Sequence, residues 1–224
     1  MGKNKLAHFA ELDTFTNVLQ PEFSEDMLQR HPLAGTWANV FGNPNPVTLE
    51  LGCGKGEYTI GQARLFPDRN FVGIDIKGAR IWRGAKTALQ DGLSNVRFLR
   101  TRIDFLNAFF VPGEVAEIWL TFSDPQPERP RKRLTSPIFV ERYRNILAPG
   151  GCVHVKTDSP LFHEYTLEQI EEHGYAMVEH LPNVYSPALE QLSEDMQRVL
   201  QIRTFYESRW LKEGRTIRYI CFRP

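Results

Sequence analysis

One glycine turn and four carboxylates carry the chemistry legible in this chain. The run Glu50-Leu51-Gly52-Cys53-Gly54-Lys55-Gly56-Glu57 places three glycines within five residues, directly after a short apolar stretch. Glycine lets the backbone bend tightly and approach a ligand that a Cβ would hold off. A dinucleotide-binding turn would read G-x-G-x-x-G. Here Glu57 stands at the sixth position and Gly56 comes one place early, so the pattern is G-x-G-x-G behind an acid, Glu50. Asp75 and Asp104 follow the next two apolar runs. Asp124 follows a fourth, in Phe122-Ser123-Asp124-Pro125-Gln126-Pro127, where the fixed φ of two prolines stiffens the loop around the carboxylate.

The elements that must hold these groups alternate. Residues 47–51, 70–74, 96–99, 117–122, 152–156, 175–179 and 216–222 read as strands, and 57–65, 77–89, 137–147 and 161–172 as helices. Within 77–89, Ile81, Ala85, Ala88 and Leu89 share one face. Pro149-Gly150-Gly151 is the stop signal for the helix before it. This order predicts an α/β fold, an open, mostly parallel seven-stranded sheet with helices on both faces. Ligands of such sheets sit beyond the carboxyl ends of the strands, where the glycine turn, Asp75, Asp104 and Asp124 all fall. Residues 1–46, broken by Pro21, Pro32, Pro44 and Pro46, read as an irregular, partly helical N-terminal arm ahead of a single domain spanning 47–224.

The acids select among cofactors. A carboxylate after the second strand can take both hydroxyls of a ribose, and Asp104 is placed to meet an adenine edge. Glu50, Asp75 and Asp104 together repel a pyrophosphate and favour a cation. S-adenosylmethionine brings a ribose, an adenine, an amino group and a sulfonium without any phosphate, and it suits this set. A nicotinamide dehydrogenase is disfavoured by Glu57 at the third glycine position.

The 224 residues suit one large domain or two small ones, and 42% hydrophobic against 24% charged excludes disorder as the main state. No run approaches the ~20 apolar residues of a membrane span, and MGKNKLAHFA lacks the apolar block of a signal peptide. Cys53, Cys152 and Cys221 form no C-x-x-C, so reduced thiols in a cytoplasmic protein are expected, with no metal. Cys152 and His154 alternate on one strand and read as ordinary strand residues. Glu164, Glu168 and Glu171 read as a solvent-facing helical stripe.

The combined pattern resembles the bacterial tRNA guanine-N7 methyltransferases, a family of class I S-adenosylmethionine-dependent methyltransferases. The glycine turn looks like the first motif of that class. Gly2-Lys3-Asn4-Lys5-Leu6 and Asn17-Val18-Leu19-Gln20-Pro21 look like the family's N-terminal arm. Phe122-Ser123-Asp124-Pro125 and Lys156-Thr157-Asp158 match internal motifs, and Thr204-Phe205-Tyr206-Glu207 is similar to a Thr-x-aromatic-Glu substrate motif. The resemblance covers nearly the whole chain. It implies methyl transfer from S-adenosylmethionine to N7 of guanine 46 in the variable loop of tRNA, by a monomer or homodimer. It implies that Glu50, Gly52, Gly54, Asp75, Asp104 and Asp124 hold the cofactor and that Asp124 is also the catalytic position. Asp158 and Thr204, Phe205, Tyr206 and Glu207 would hold the guanosine. The family's Trp after Asp-Pro and the Lys two places later are here Gln126 and Glu128, which leaves Arg129 or Arg131 to replace that Lys. Arg129, Arg131, Lys132 and Arg133 have the character of phosphate contacts. The competing readings are a methyltransferase acting on a small molecule, which has no use for this basic cluster, and a non-catalytic RNA-binding protein.

Charge distribution bears on the RNA reading. The chain is neutral, with 27 basic and 27 acidic residues, whereas RNA-binding domains are typically basic. The charges are segregated, however: residues 76–102 carry +6, 128–144 carry +4, 198–224 carry +5 and 157–197 carry −9. Local fields rather than net charge steer a polyanion, so an RNA partner requires the basic segments to meet around Asp124.

Overall fold

A computed structural model describes residues 2–22 and 29–224. The strands are β1 (Val18–Leu19), β2 (Val47–Leu51), β3 (Asn70–Asp75), β4 (Val96–Arg100), β5 (Val115–Thr121), β6 (Leu147–Thr157), β7 (Ala176–Leu181) and β8 (Arg218–Arg223). The helices are α1 (Gly2–Leu12), α2 (Trp37–Phe41), α3 (Glu57–Leu65), α4 (Gly78–Gln90), α5 (Leu106–Phe109), α6 (Pro137–Arg144), α7 (Pro160–His173), α8 (Glu194–Leu200) and α9 (Phe205–Lys212).

All eight strands join one sheet in the order β1-β4-β3-β2-β5-β6-β8-β7. The pairs from β1 through β6 are parallel, and β8 runs antiparallel to both of its neighbours. The expected count of seven is therefore one short. The additional strand, β1, comes from the segment read as an arm: Val18 and Leu19 pair with Phe98 and Leu99 at the sheet edge. Two residues leave no periodicity to detect. The segment is also anchored by side chains. Trp37 is buried with its indole N–H donating to the Phe109 carbonyl at 2.9 Å, and Trp82 and Lys86 of α4 both bond Glu11 of α1 at 2.7 Å.

Strand residues alternate between two cores, as a period of two requires. Leu49, Leu51, Val72, Ile74, Ile118 and Leu120 pack with α2, α5, α6 and α7. Phe71, Phe98, Trp119, Tyr219 and Cys221 pack with α1, α3, α4 and α8. Along α4, Ile81, Ala85 and Ala88 are buried as expected, but Leu89 is 42% exposed. It lies one position past Ala88, about 100° further around the helix and off the buried face. The Pro149-Gly150-Gly151 stop falls inside the β6 element, with Gly150 at φ +80° turning the chain. The chain runs outward from β2 through β3 to β4, then returns to β5 on the other side of β2. The switch point between β2 and β5 opens a crevice at the strands' carboxyl ends.

Candidate active site

A cleft of about 880 Å³ occupies that crevice. Its walls include Gly52 after β2, Asp75 at the end of β3, Thr101 and Asp104 after β4, and Ser123 and Asp124 after β5. Gly52 has φ +74°, and a Cβ there would meet nothing within 4 Å, so this stretch of backbone lies open to the cleft. Gly56, at φ +68°, serves packing instead. A Cβ would come within 2.6 Å of the Phe98 ring, and the turn rests against Gly84 of α4. Asp75 ties the two loops together: one carboxylate oxygen accepts from the Gly54 N–H at 3.0 Å, the other from the Lys77 N–H at 2.8 Å. Gly54 reaches the cleft only through this bond, since it is absent from the lining.

Two hydroxyls test the fit of the expected cofactor. Thr101 Oγ1 and Ser123 Oγ are buried on the cleft wall with no partner among the described residues. Buried polar atoms need a hydrogen-bond partner. A nucleoside with ribose hydroxyls and ring nitrogens supplies acceptors and donors of the right kind. Thr101 belongs to no motif; Ser123 stands inside the Phe122–Pro125 motif, but nothing there singled out its hydroxyl.

Glu50 lies beneath the cleft rather than in its lining. Its carboxylate accepts from the Thr59 N–H at 2.8 Å and from the hydroxyls of Thr59 and Thr121. Burial raises its pKa to about 7, against the opposing pull of these bonds. The side chain thus joins the start of α3 and the end of β5 to β2, and so fixes the glycine turn. Asp104 is partly exposed and pairs with Arg102 at 3.2 Å and Arg142 at 3.8 Å.

On the acceptor side, Asp124 is exposed at the cleft mouth and its Oδ1 accepts from the Gln126 N–H at 3.0 Å. The loop is strained: Phe122 and Gln126 have φ of +52° and +44°, a region that costs a non-glycine residue on the order of 1–3 kcal/mol. Arg133 holds it in this form. Its guanidinium donates to the Pro125 carbonyl at 2.9 Å and the Pro127 carbonyl at 3.3 Å, and lies 4.4 Å from the Tyr165 ring centroid. Arg133 was expected as a phosphate contact, but it is buried and braces the Asp124 loop, because the two prolines leave carbonyls that a planar fork can span. Arg131 and Lys132 do line the cleft, together with Lys77, Arg80, Arg102 and Arg142. The basic segments 76–102 and 128–144 therefore meet at Asp124. Arg129 is exposed on the outer side of the same loop, in a smaller pocket with Asp124 and Glu128.

The remaining expected positions lie outside this cleft. Asp158 follows β6 and pairs with Arg215 at 3.0 Å. Thr204 is the N-cap of α9 and forms a capping box with Glu207, worth about 1 kcal/mol. The Glu207 carboxylate is fully buried, 2.8 Å from Lys156 Nζ and 2.8 Å from the Tyr185 hydroxyl. Lys156 Nζ also donates to the carbonyls of Leu200 and Ile202 at 2.8 and 3.0 Å. Burial lowers its pKa to about 8, with Glu207 opposing. Between the two caps, Phe205 and Tyr206 are 60% and 51% exposed. Helix α9 was not among the expected helices, although Thr-x-x-Glu is itself a capping-box signal that could have announced its start; nothing local announced the buried lysine. The side chains of residues 1–5 lie outside the described ones. Cys152 and His154 of β6 take their places in the strand, with His154 stacked on Trp119 at 4.2 Å and bonded to the Tyr219 hydroxyl at 2.8 Å. Glu164, Glu168 and Glu171 are exposed.

A parallel α/β sheet with this strand order, a glycine turn after β2, an acid closing β3 and a cleft at the switch point defines a class I, S-adenosylmethionine-dependent methyltransferase. Comparison with known proteins agrees and narrows the class. A family model described as "Putative methyltransferase" matches residues 44–220. The tRNA (guanine-N(7)-)-methyltransferase of Christiangramia forsetii is 48% identical, with 99% of this chain and 98% of that protein covered. That of Bacteroides fragilis is 47% identical, covering 99% and 86%. Among solved structures, the 16S rRNA methyltransferase KamB shares the fold with a TM-score of 0.61 at 18% identity, covering 91% of this chain and 96% of that one. The chain belongs to the tRNA (guanine-N(7)-)-methyltransferase family.

Proposed function

We propose that this protein methylates N7 of the variable-loop guanine, position 46, of tRNA, and that it does so in the cytoplasm. One observation carries the reading: Gly52, Asp75, Thr101 and Ser123 line a single cleft with Asp124 and six basic side chains. A methyltransferase for a small molecule has no need of that basic rim.

When bound, S-adenosylmethionine supplies an electrophilic methyl group on a sulfonium. Asp75 would hold the ribose, Asp104 the adenine edge, and Thr101 and Ser123 the remaining polar atoms. Glu50 acts from below by fixing the turn. Guanine N7 has an in-plane lone pair and no proton, so the acceptor needs no general base. The protein's work is alignment and exclusion of water. Positive charge gathers on the guanine ring as N7 is alkylated, and the Asp124 carboxylate stabilises it. Arg133 and the two prolines keep Asp124 from swinging away, which is the use of a strained and braced loop. Arg129 and Arg131 contact RNA phosphates, and Asp158 and the Thr204–Glu207 turn border the guanosine. Lys156 and the caps hold that turn in place, leaving Phe205 and Tyr206 to stack on bases.

The test is transfer of labelled methyl from S-adenosylmethionine to unmodified tRNA, followed by nuclease mapping. Label at N7 of the variable-loop guanine is the expected result. Cofactor binding without any label in tRNA guanine would defeat the reading.

A further inference from the structure

A second cleft, of about 670 Å³, lies on the α3–α4 side of the molecule. Lys55, Arg64, Arg80, Arg83 and Arg203 contribute to its lining. Arg64 is neutralised by Asp91. Glu57, the acid in the lining, is occupied by the Phe205 N–H at 3.2 Å. Lys55, Arg80, Arg83 and Arg203 form no ion pair among the described residues. Four cations without an ion pair, set against the single carboxylate of Glu57, leave the cleft with a net positive charge that a polyanion relieves.

This cleft is joined to the first in two ways. Arg80 lines both. In addition, a run of aromatic rings crosses the ground between them. Phe122 lines the first cleft and lies 5.1 Å from Trp210, which is 5.9 Å from Tyr206, which is 5.6 Å from Phe205 in the wall of the second. Lys55 Nζ sits 5.0 Å from the Phe205 centroid and 6.0 Å from that of Tyr206. Exposed aromatic rings interleaved with cations form the surface on which unpaired bases stack while their phosphates are neutralised. The ladder is held stiff by the capping box of α9 and the buried Lys156–Glu207 pair beneath it.

We propose that the second cleft grips the phosphodiester backbone of the RNA flanking the target guanosine, and that Tyr206 and Trp210 stack an unpaired base on the path between the two clefts. The RNA path thus runs from Asp124 over α9 to Lys55, Arg83 and Arg203. This rests on the tRNA reading above and adds a binding site remote from the methyl donor.

The experiment measures tRNA binding apart from turnover, by fluorescence anisotropy across a salt series, for the full chain and for Lys55→Glu/Arg83→Glu. Both side chains are exposed, and thermal melts check that the variant folds. Each lost phosphate contact removes about 0.7–0.9 from the slope of log K against log salt. The charge reversal should flatten the slope by about 1.5 and weaken binding at least tenfold at physiological salt, with S-adenosylmethionine affinity unchanged. A Tyr206→Ala/Trp210→Ala variant should weaken binding with the salt slope intact. Wild-type affinity and slope in the charge-reversed protein overturn the second cleft. Weaker binding with an unchanged slope overturns it as well, because the effect is then not one of phosphate contacts. If tRNA binds and responds as expected but is never methylated, the functional reading fails and the binding surface stands.

Discussion

Lys156→Met separates the support of the substrate-side turn from its surface. The ammonium is fully buried and makes three contacts, to the Leu200 and Ile202 carbonyls and to Glu207. Methionine fills similar space and supplies none of them. The Glu207 carboxylate is left buried with the Tyr185 hydroxyl at 2.8 Å and the Thr204 N–H at 3.4 Å. Breaking one side of a buried ion pair costs about 3–5 kcal/mol, and each orphaned carbonyl adds about 1 kcal/mol. The expected loss is about 5–7 kcal/mol, which at about 2–4 °C per kcal/mol for a domain of this size lowers Tm by about 10–28 °C. The assay is urea and thermal unfolding of wild type, Lys156→Met, Glu207→Gln and the double variant. Glutamine still completes a capping box, so the Glu207 single variant reports the lost charge. A coupling energy above about 2 kcal/mol is expected between the two sites. A loss below about 1 kcal/mol for Lys156→Met, or simple additivity in the double variant, refutes the argument that this pair anchors the turn.

Asp124→Ala should lower kcat by at least about a hundredfold, the scale of one removed electrostatic stabiliser, while calorimetric affinity for S-adenosylmethionine is kept. Near-normal methylation would sink the assignment. Arg133→Met should lower kcat with little change in cofactor affinity, since it releases the Pro125 and Pro127 carbonyls; wild-type turnover would show that the brace is idle. Glu50 has a folded pKa of about 7 against an ordinary 4.5, so its contribution is fully present below pH 4.5 and is lost as pH rises through 7. At about 1.4 kcal/mol per unit this removes about 3 kcal/mol between those limits. Glu50→Gln should abolish that component of the pH dependence in urea titrations at pH 5 and pH 8, and an unchanged profile would contradict the burial argument. Gly84→Ala should cost about 1–3 kcal/mol, because its Cβ would lie 2.6 Å from the Lys55 carbonyl; a neutral effect would show that the turn and α4 separate freely.

Much of the architecture was legible because it is local. Helix α3 falls at residues 57–65, as its pattern predicts, and the five central strands are found within a few residues of their expected bounds. Burial on both faces gives these strands short apolar stretches, such as Ile118-Trp119-Leu120 in β5, that show in the sequence. Strand β1 was hidden in an arm full of prolines, since two residues show no period. Its partner β4 is nearly eighty residues away. Residues Gly52, Asp75, Asp104 and Asp124 were legible as site candidates because each follows a strand, and position after a strand places a residue at the crevice.

What the sequence determined by itself is therefore the alternation of strands and helices, the glycine turn, and the set of acids at strand ends. These are properties of neighbours along the chain. Only the tertiary structure decided which acids line the cleft and which are buried away from it. Glu50 is answered by Thr121, 71 residues on, and Glu207 by Lys156, 51 residues back. Arg133 turned from a phosphate contact into a brace when the fold brought it under the carbonyls of two prolines. A side chain's chemistry is settled by the partners that surround it once the chain is folded, and sequence order does not announce them, whether they lie 71 residues away, as for Glu50, or 6 and 8, as for Arg133.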